Sequence, residues 1–361
     1  MQYRVCSLRS CIFAAVFAMA AGYAGGALAS DPLPGDSVAP PANSNLIMLY
    51  DEYQNDNRFG GQPGNPHGPD ATHDTKFQAN ITVLRYVHTF DVDGYYPGVQ
   101  VYLPYVAYLG GQSVGINDLG SAAPGLLPSL GRGHINLSKT NGFAQPNFGA
   151  YMFPIANRQT GTYLLIGPWI APPVSAFNKN NNLNANQNVW TFETEFAFRK
   201  VLFGTVSTQN LTLVLWEENY WYLSNPHSAD ASDVVYADNI PPIYQFLGAR
   251  NPVKVTPMLN GTFREQPTTE FRVYLPYQII PATRFYIAPG LYQSFGGKQT
   301  YKINGVGIVD SGNRTEETQL RLVASSFVSP TLQILLAGDY DVAAHGGPYT
   351  RSLELRILKE F

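Results

Sequence analysis

The sequence predicts an all-β fold, an antiparallel transmembrane β-barrel of twelve strands with fourteen as the alternative, on three observations. Runs rich in Val, Ile, Leu, Thr, Tyr and Phe alternate apolar with polar side chains at period two, as strands with one apolar face do. The connections between them alternate between short turns and long Gly/Asn/Pro/Ser-rich loops, the asymmetry of outer-membrane barrels. Charged residues make up 14% of the chain and aromatics 13%, against a charged share of roughly 25% in soluble domains. No stretch beyond the N-terminal leader is apolar for the ~18 residues that a spanning helix needs.

The leader comes first. Arg4 and Arg9 precede an apolar stretch from Ile12 to Tyr23, and Ala27-Leu28-Ala29 then fits a small-x-small cleavage site, so residues 1–29 read as a secretory signal peptide. Export to the outer membrane of a Gram-negative cell follows. Both cysteines, Cys6 and Cys11, lie in this leader, so the mature chain is expected to be stable without disulfides. Of the 23 Lys and Arg, two leave with the leader; against 26 Asp and Glu the formal charge moves from −3 to −5. That balance argues against nucleic acid as a partner.

Residues 30–43 are rich in Pro and small residues without periodicity, and are expected to form an extended periplasmic lead-in, too short for a plug; the barrel is expected over 44–361. Strands are predicted at 45–53, 77–90, 96–108, 144–154, 161–171, 188–200, 208–222, 269–280, 284–296, 316–328, 331–342 and 349–361. The segment 253–265 could be a thirteenth. An odd count would invert the last strand, so it is assigned to a long outside loop; a hidden partner within 232–249 would make fourteen.

The last strand shows the face pattern most clearly. Leu353, Leu355, Ile357 and the terminal Phe361 share one face, while Ser352, Glu354, Arg356 and Glu360 share the other. A terminal aromatic on such a strand resembles an assembly signal for the barrel-insertion machinery. Because an Arg or Lys facing lipid at mid-membrane costs roughly 2–4 kcal/mol, the charged faces are expected to line the lumen. This assigns Arg85, Glu193, Glu195, Arg199, Glu218, Glu270, Arg272, Arg321, Asp339, Asp341, Glu354 and Arg356 to the interior, as ion pairs bracing the wall or as a field screening solutes. Trp216, Tyr220, Trp221 and Tyr222 read as an interfacial girdle or as an aromatic mouth for apolar solutes, which Tyr286 and Tyr292 could continue. No catalytic motif stands among the six histidines; His67 and His73 with Asp70 and Asp74 form a loose loop cluster, and His88 reads as interfacial. Neither metal nor cofactor is expected.

The segments APPANSNLIMLYDEYQ (39–54), LRYVHTFDVDG (84–94), VYLPY (101–105), GTYLLIGPWIAPPVSAFN (161–178) and SLELRILKEF (352–361) resemble outer-membrane proteins associated with the meta-cleavage pathway of phenol degradation. The resemblance implies a twelve-stranded, porin-like transporter, passive in either direction, for small hydrophobic or aromatic compounds, with outer-membrane lipids around it. Two other readings stand beside it: an outer-membrane enzyme of lipase or protease type, and a closed barrel serving as anchor or binding scaffold. The expectation is that the chain is not an enzyme.

Overall fold

Twelve antiparallel strands close on themselves in the computed structural model, which describes residues 32–58, 60, 75–93, 95–116, 133–186, 188–226, 233–237, 253–255, 261–303, 307–310, 314 and 316–361. They are β1 (Asn45–Asp56), β2 (Phe77–Thr89), β3 (Gly98–Tyr108), β4 (Asn147–Asn157), β5 (Thr162–Ala171) and β6 (Thr191–Gly204). The second half holds β7 (Asn210–Tyr222), β8 (Thr268–Tyr274 continued by Tyr277–Ile280), β9 (Phe285–Gly296), β10 (Glu316–Ser329), β11 (Leu332–His345) and β12 (Arg351–Glu360). Each pairs with its neighbours in sequence, and β12 returns to β1 with Leu46 opposite Glu360 and Gln54 opposite Ser352. Asn45 and Phe361 exchange both backbone hydrogen bonds at 3.0 Å, so the seam is paired to the last residue. Closure leaves no strand edge for lipid to face, which is why a sheet can cross a bilayer at all.

β8 is interrupted because Pro276 has no N–H to give the ladder. The break is bridged from both sides: Thr212 donates to the Pro276 carbonyl at 2.9 Å and Leu275 to the Pro289 carbonyl at 3.0 Å. Short turns join β2 to β3, β4 to β5, β6 to β7, β8 to β9 and β10 to β11, on the rim that also holds both ends of the barrel. That rim is the periplasmic one. At the β6–β7 turn Gly204 adopts φ +77, and a Cβ there would lie 2.1 Å from the Gln209 carbonyl oxygen, so only glycine fits.

The long outer loops hold further strands in sheets separate from the barrel's own. Gln112–Ile116, Gly133–Leu137, Asp233–Ala237 and Val253–Val255 make one small sheet; Gly261–Glu265, Gln299–Ile303 and Gly307–Asp310 make another. The segment 253–265 therefore contributes strand, but to these outer sheets, and the spanning count stays at twelve.

Burial alternates along every spanning strand. Leu49, Leu84, Leu103, Phe196, Leu215, Phe271, Leu322, Leu336 and Leu355 point outward, a belt of large apolar side chains that only lipid can cover. Phe361, 60% exposed, belongs to that face with Leu353 and Ile357. Outward polar patches interrupt the belt; in one, Asp51 accepts from Asn80 Nδ2 at 2.7 Å and from Thr82 Oγ1 at 3.4 Å, so its carboxylate is bonded within the wall.

The N-terminal segment departs from the extended, non-plugging lead-in expected of it. Pro34–Ser37 form a 3-10 turn, and Leu33, Pro34, Ser37 and Ala39 are buried. Proline starts the turn at low entropic cost, and Asp36 accepts from the Leu33 N–H at 3.0 Å. Because Asp36 is ion-paired to inward-facing arginines of β2 and β12, the turn sits inside the barrel. The signal peptide expected over residues 1–29 lies outside the described residues.

Candidate functional site

The lumen is built by the even-numbered face of β1 and the matching faces of the other strands. At its middle Arg85 of β2 and Arg356 of β12 flank Tyr50 of β1. Arg85 donates to Gln100 Oε1 through Nε at 3.1 Å and Nη2 at 2.6 Å, and to the Tyr50 hydroxyl at 3.1 Å. It also stands 4.6 Å from the Tyr102 ring centroid. Arg356 lies over Tyr50 at 5.6 Å. Both arginines reach the Asp36 carboxylate: Arg356 Nη1 donates to its two oxygens at 2.9 Å each, and Arg85 Nη1 stands 3.5 Å away. Burial alone would push the Asp36 carboxyl up, but Arg356 and Arg85 outweigh it and hold it below the usual carboxylate range. Arg199 donates to the Pro34 carbonyl at 3.2 Å and the Tyr274 hydroxyl to the Pro32 carbonyl at 3.4 Å.

A second group lies farther out along β6, β7 and β8. Glu195, Glu218 and Glu270 face one another in register across the three strands. Like charges opposed in this way repel, and Arg272 answers them: it pairs with Glu218 and, at 2.6 Å, with Glu270. Tyr220 donates to Glu218 at 3.1 Å, Trp169 Nε1 to Glu195 at 2.9 Å, and Asn147 to Glu193 at 3.5 Å. The Tyr292 ring lies between Arg272 and Arg321, whose guanidinium carbons stand 4.8 and 4.5 Å from its centroid. Arg321 is held in turn by Gln319, by the Tyr274 hydroxyl at 3.2 Å and by Asp339 at 3.4 Å. Near the outer rim Asp341 accepts from the Thr350 N–H at 2.6 Å, Asp339 from Ser352 at 3.1 Å, and Glu354 is buried.

All twelve charged residues assigned to the interior from sequence thus lie buried or half-buried on inward faces. The aromatic set divides. Trp216, Tyr220 and Tyr292 are buried on the inward face, and Tyr222 and Tyr286 are partly buried on it; Trp221, 44% exposed, faces outward. Five of the six therefore share the inward face with the charged set.

Sequence reasoning missed two elements of the lumen. Asp36 is one. The other is the Asn-rich segment after β5: Asn182, Leu183, Asn184, Ala185 and Asn186 are all buried. Its amides fold it on itself and against the inner wall. Asn182 accepts from Ser138, the Asn184 side chain accepts from the Asn178 N–H at 2.7 Å, and the Asn184 carbonyl accepts from the Tyr108 hydroxyl at 2.8 Å. The lumen is therefore narrowed from the periplasmic side by the Pro34–Ser37 turn and near the outer rim by this loop.

Among the described residues no group of His, Cys, Asp and Glu is arranged to hold a metal. His67, His73, Asp70 and Asp74 lie outside them. His88 shares a hydrogen bond of 2.9 Å with Asn45 and meets the Phe90 ring edge-on, both at the periplasmic rim.

No curated protein sequence matches the chain. Residues 60–219 match the family described as "Putative MetA-pathway of phenol degradation". An outer membrane channel from Pseudomonas putida F1 has the same fold, with TM-score 0.64 and 19% identity over 92% of this chain and 100% of that one. The transport unit of the autotransporter AIDA-I from Escherichia coli aligns at TM-score 0.48 and 11% identity over 100% of both chains. The toluene transporter TbuX from Ralstonia pickettii aligns at 0.38 and 11% over 89% of this chain and 90% of that one. These last two scores are too low to bear on the fold. The chain is an outer-membrane β-barrel whose residues 60–219 carry the sequence signature of the family described as a putative MetA pathway of phenol degradation.

Proposed function

We propose that the barrel is a passive outer-membrane channel for small hydrophobic or aromatic compounds. The observation that carries this reading is the inner wall. Where a general porin lines a wide water channel, here aromatic rings stand inward on alternate strands: Tyr50 of β1, Tyr102 of β3 and Trp169 of β5 in sequence around the wall, with ring centroids 6.5 and 5.2 Å apart. Elsewhere on the wall inward arginines are drawn into pairs with carboxylates, as Arg272 is by Glu218 and Glu270. Such a wall offers ring faces to an apolar solute. The family matched over residues 60–219 and the fold shared with the Pseudomonas putida channel support the same reading. Chemistry on the solute is not required by it.

Assembly fits the same setting. The outward Leu353, Leu355, Ile357 and Phe361, at the free end of the closing strand, form the apolar stripe that we assign to recognition by the barrel-insertion machinery.

The turn carrying Asp36 favours a second reading, a closed barrel that serves as a scaffold. Reconstitution separates the two. Purified protein in a planar bilayer should conduct, and vesicles containing it should take up phenol faster than a sugar. A barrel that is folded but passes neither ions nor phenol refutes the channel.

A further inference from the structure

Asp36 is held as a ligand is held. Its carboxylate belongs to a turn outside the sheet, while the groups that bind it belong to the wall and are oriented without it. Arg85 is fixed by Gln100 and Tyr50. Arg356 has Gln333 at 3.5 Å and the Tyr50 ring beneath it. The side chains of Arg356 and Arg85 are 1% and 9% exposed, so an anion between them is largely screened from water. Two buried guanidiniums require a counter-charge, and their planar forks match a carboxylate in particular. Apart from this clamp, Arg199 and Tyr274 give the turn long hydrogen bonds to backbone carbonyls, at 3.2 and 3.4 Å. Beside the carboxylate lie the rings of Tyr50 and Tyr102, with Trp169 next to Tyr102.

We propose that Arg85 and Arg356 form an anion-binding site in the middle of the lumen, for the carboxylate of a small aromatic acid, and that Asp36 is its tethered occupant. The solute's carboxylate takes the place of the Asp36 carboxylate and its ring lies against Tyr50 and Tyr102, so that binding displaces the turn that narrows the lumen. The inference rests on the channel reading and adds a solute class to it.

The test uses the full mature chain in detergent, with benzoate as probe and benzyl alcohol as the matched ring without a carboxylate. Titration calorimetry should show benzoate binding Asp36→Asn at least tenfold more tightly than the wild type, because the tethered competitor is gone, and Asp36→Ala should behave alike. Arg356→Gln introduced into Asp36→Asn should abolish the gain, as should Arg85→Gln, with heat-modifiable gel mobility confirming that each barrel is folded. Benzyl alcohol should not distinguish the variants. Equal benzoate affinity in wild type and Asp36→Asn, or a gain that survives both arginine substitutions, overturns the proposal. Binding is read without conductance, so a non-conducting Asp36→Asn barrel that gains benzoate affinity refutes the channel alone. A conducting one that gains none refutes this site alone.

Discussion

Arg272→Met isolates the electrostatics of the lumen. Arg272 is 1% exposed and sits between Glu218 and Glu270, which oppose each other across β7 and β8, with Glu195 next in the row. Methionine keeps much of the stem against Tyr292 but removes the charge, leaving a row of buried carboxylates without the cation that joins two of them. Two charge-assisted hydrogen bonds at roughly 1.5–3 kcal/mol each bracket the loss. Removing one partner of a buried pair costs about 3–5 kcal/mol. We therefore expect about 3–5 kcal/mol, a shift of two to more than three decades in the unfolding constant. Reversible urea unfolding in lipid vesicles, followed by tryptophan fluorescence, measures it. Arg272→Met combined with Glu218→Gln and Glu270→Gln should recover most of the loss, since neutral amides need no counter-charge. A single variant within about 1 kcal/mol of wild type would mean that water already screens these carboxylates, and a triple variant no better than the single would show that packing, not charge, is at issue.

Further outcomes follow from other contacts. A Cβ on Gly149 would stand 2.4 Å from Trp169, so Gly149→Ala should displace the indole from Glu195, lower heat stability and shift tryptophan emission; unchanged emission contradicts the packing. The Asp36 carboxyl is held below its ordinary 3.8, so its clamp is fully present above that pH and is lost as pH falls through the depressed value. The Asp36-dependent part of the single-channel conductance, wild type compared with Asp36→Asn at each pH, should therefore be flat from neutral down to about pH 4 and rise only below it. Phe361→Ala removes the outward aromatic at the seam while leaving the backbone exchange with Asn45, so assembly in cells should slow several-fold while the barrel, once formed, keeps its urea midpoint. A lowered midpoint would make Phe361 a stability residue instead.

The strands were legible because period-two alternation survives any tertiary context: a residue between two lipid-facing neighbours must face the lumen. Parity also contained what the girdle reading of Trp216 overlooked, since Trp216 and Tyr220 share a face with Glu218, and a face that carries a buried carboxylate is the inner one. The Asn-rich segment was not legible. Asparagines read as solvated polarity, whereas here their amides bond to Ser138, to Gln145 and to the segment's own backbone, which lets Leu183 and Ala185 enter the interior.

By itself, then, the sequence determined the element type, the twelve spanning strands, the inward and outward sets and the orientation of the last strand, all of which depend on neighbours one or two positions away or on loop length. Only the tertiary structure decided what occupies the lumen. Asp36 meets Arg356 across 320 positions of sequence, and its segment has no periodicity to announce a partner. That contact exists because closing β12 onto β1 brings Arg356 and Arg85 to either side of Tyr50, and two buried guanidiniums then draw in the Asp36 carboxylate from the chain entering the barrel.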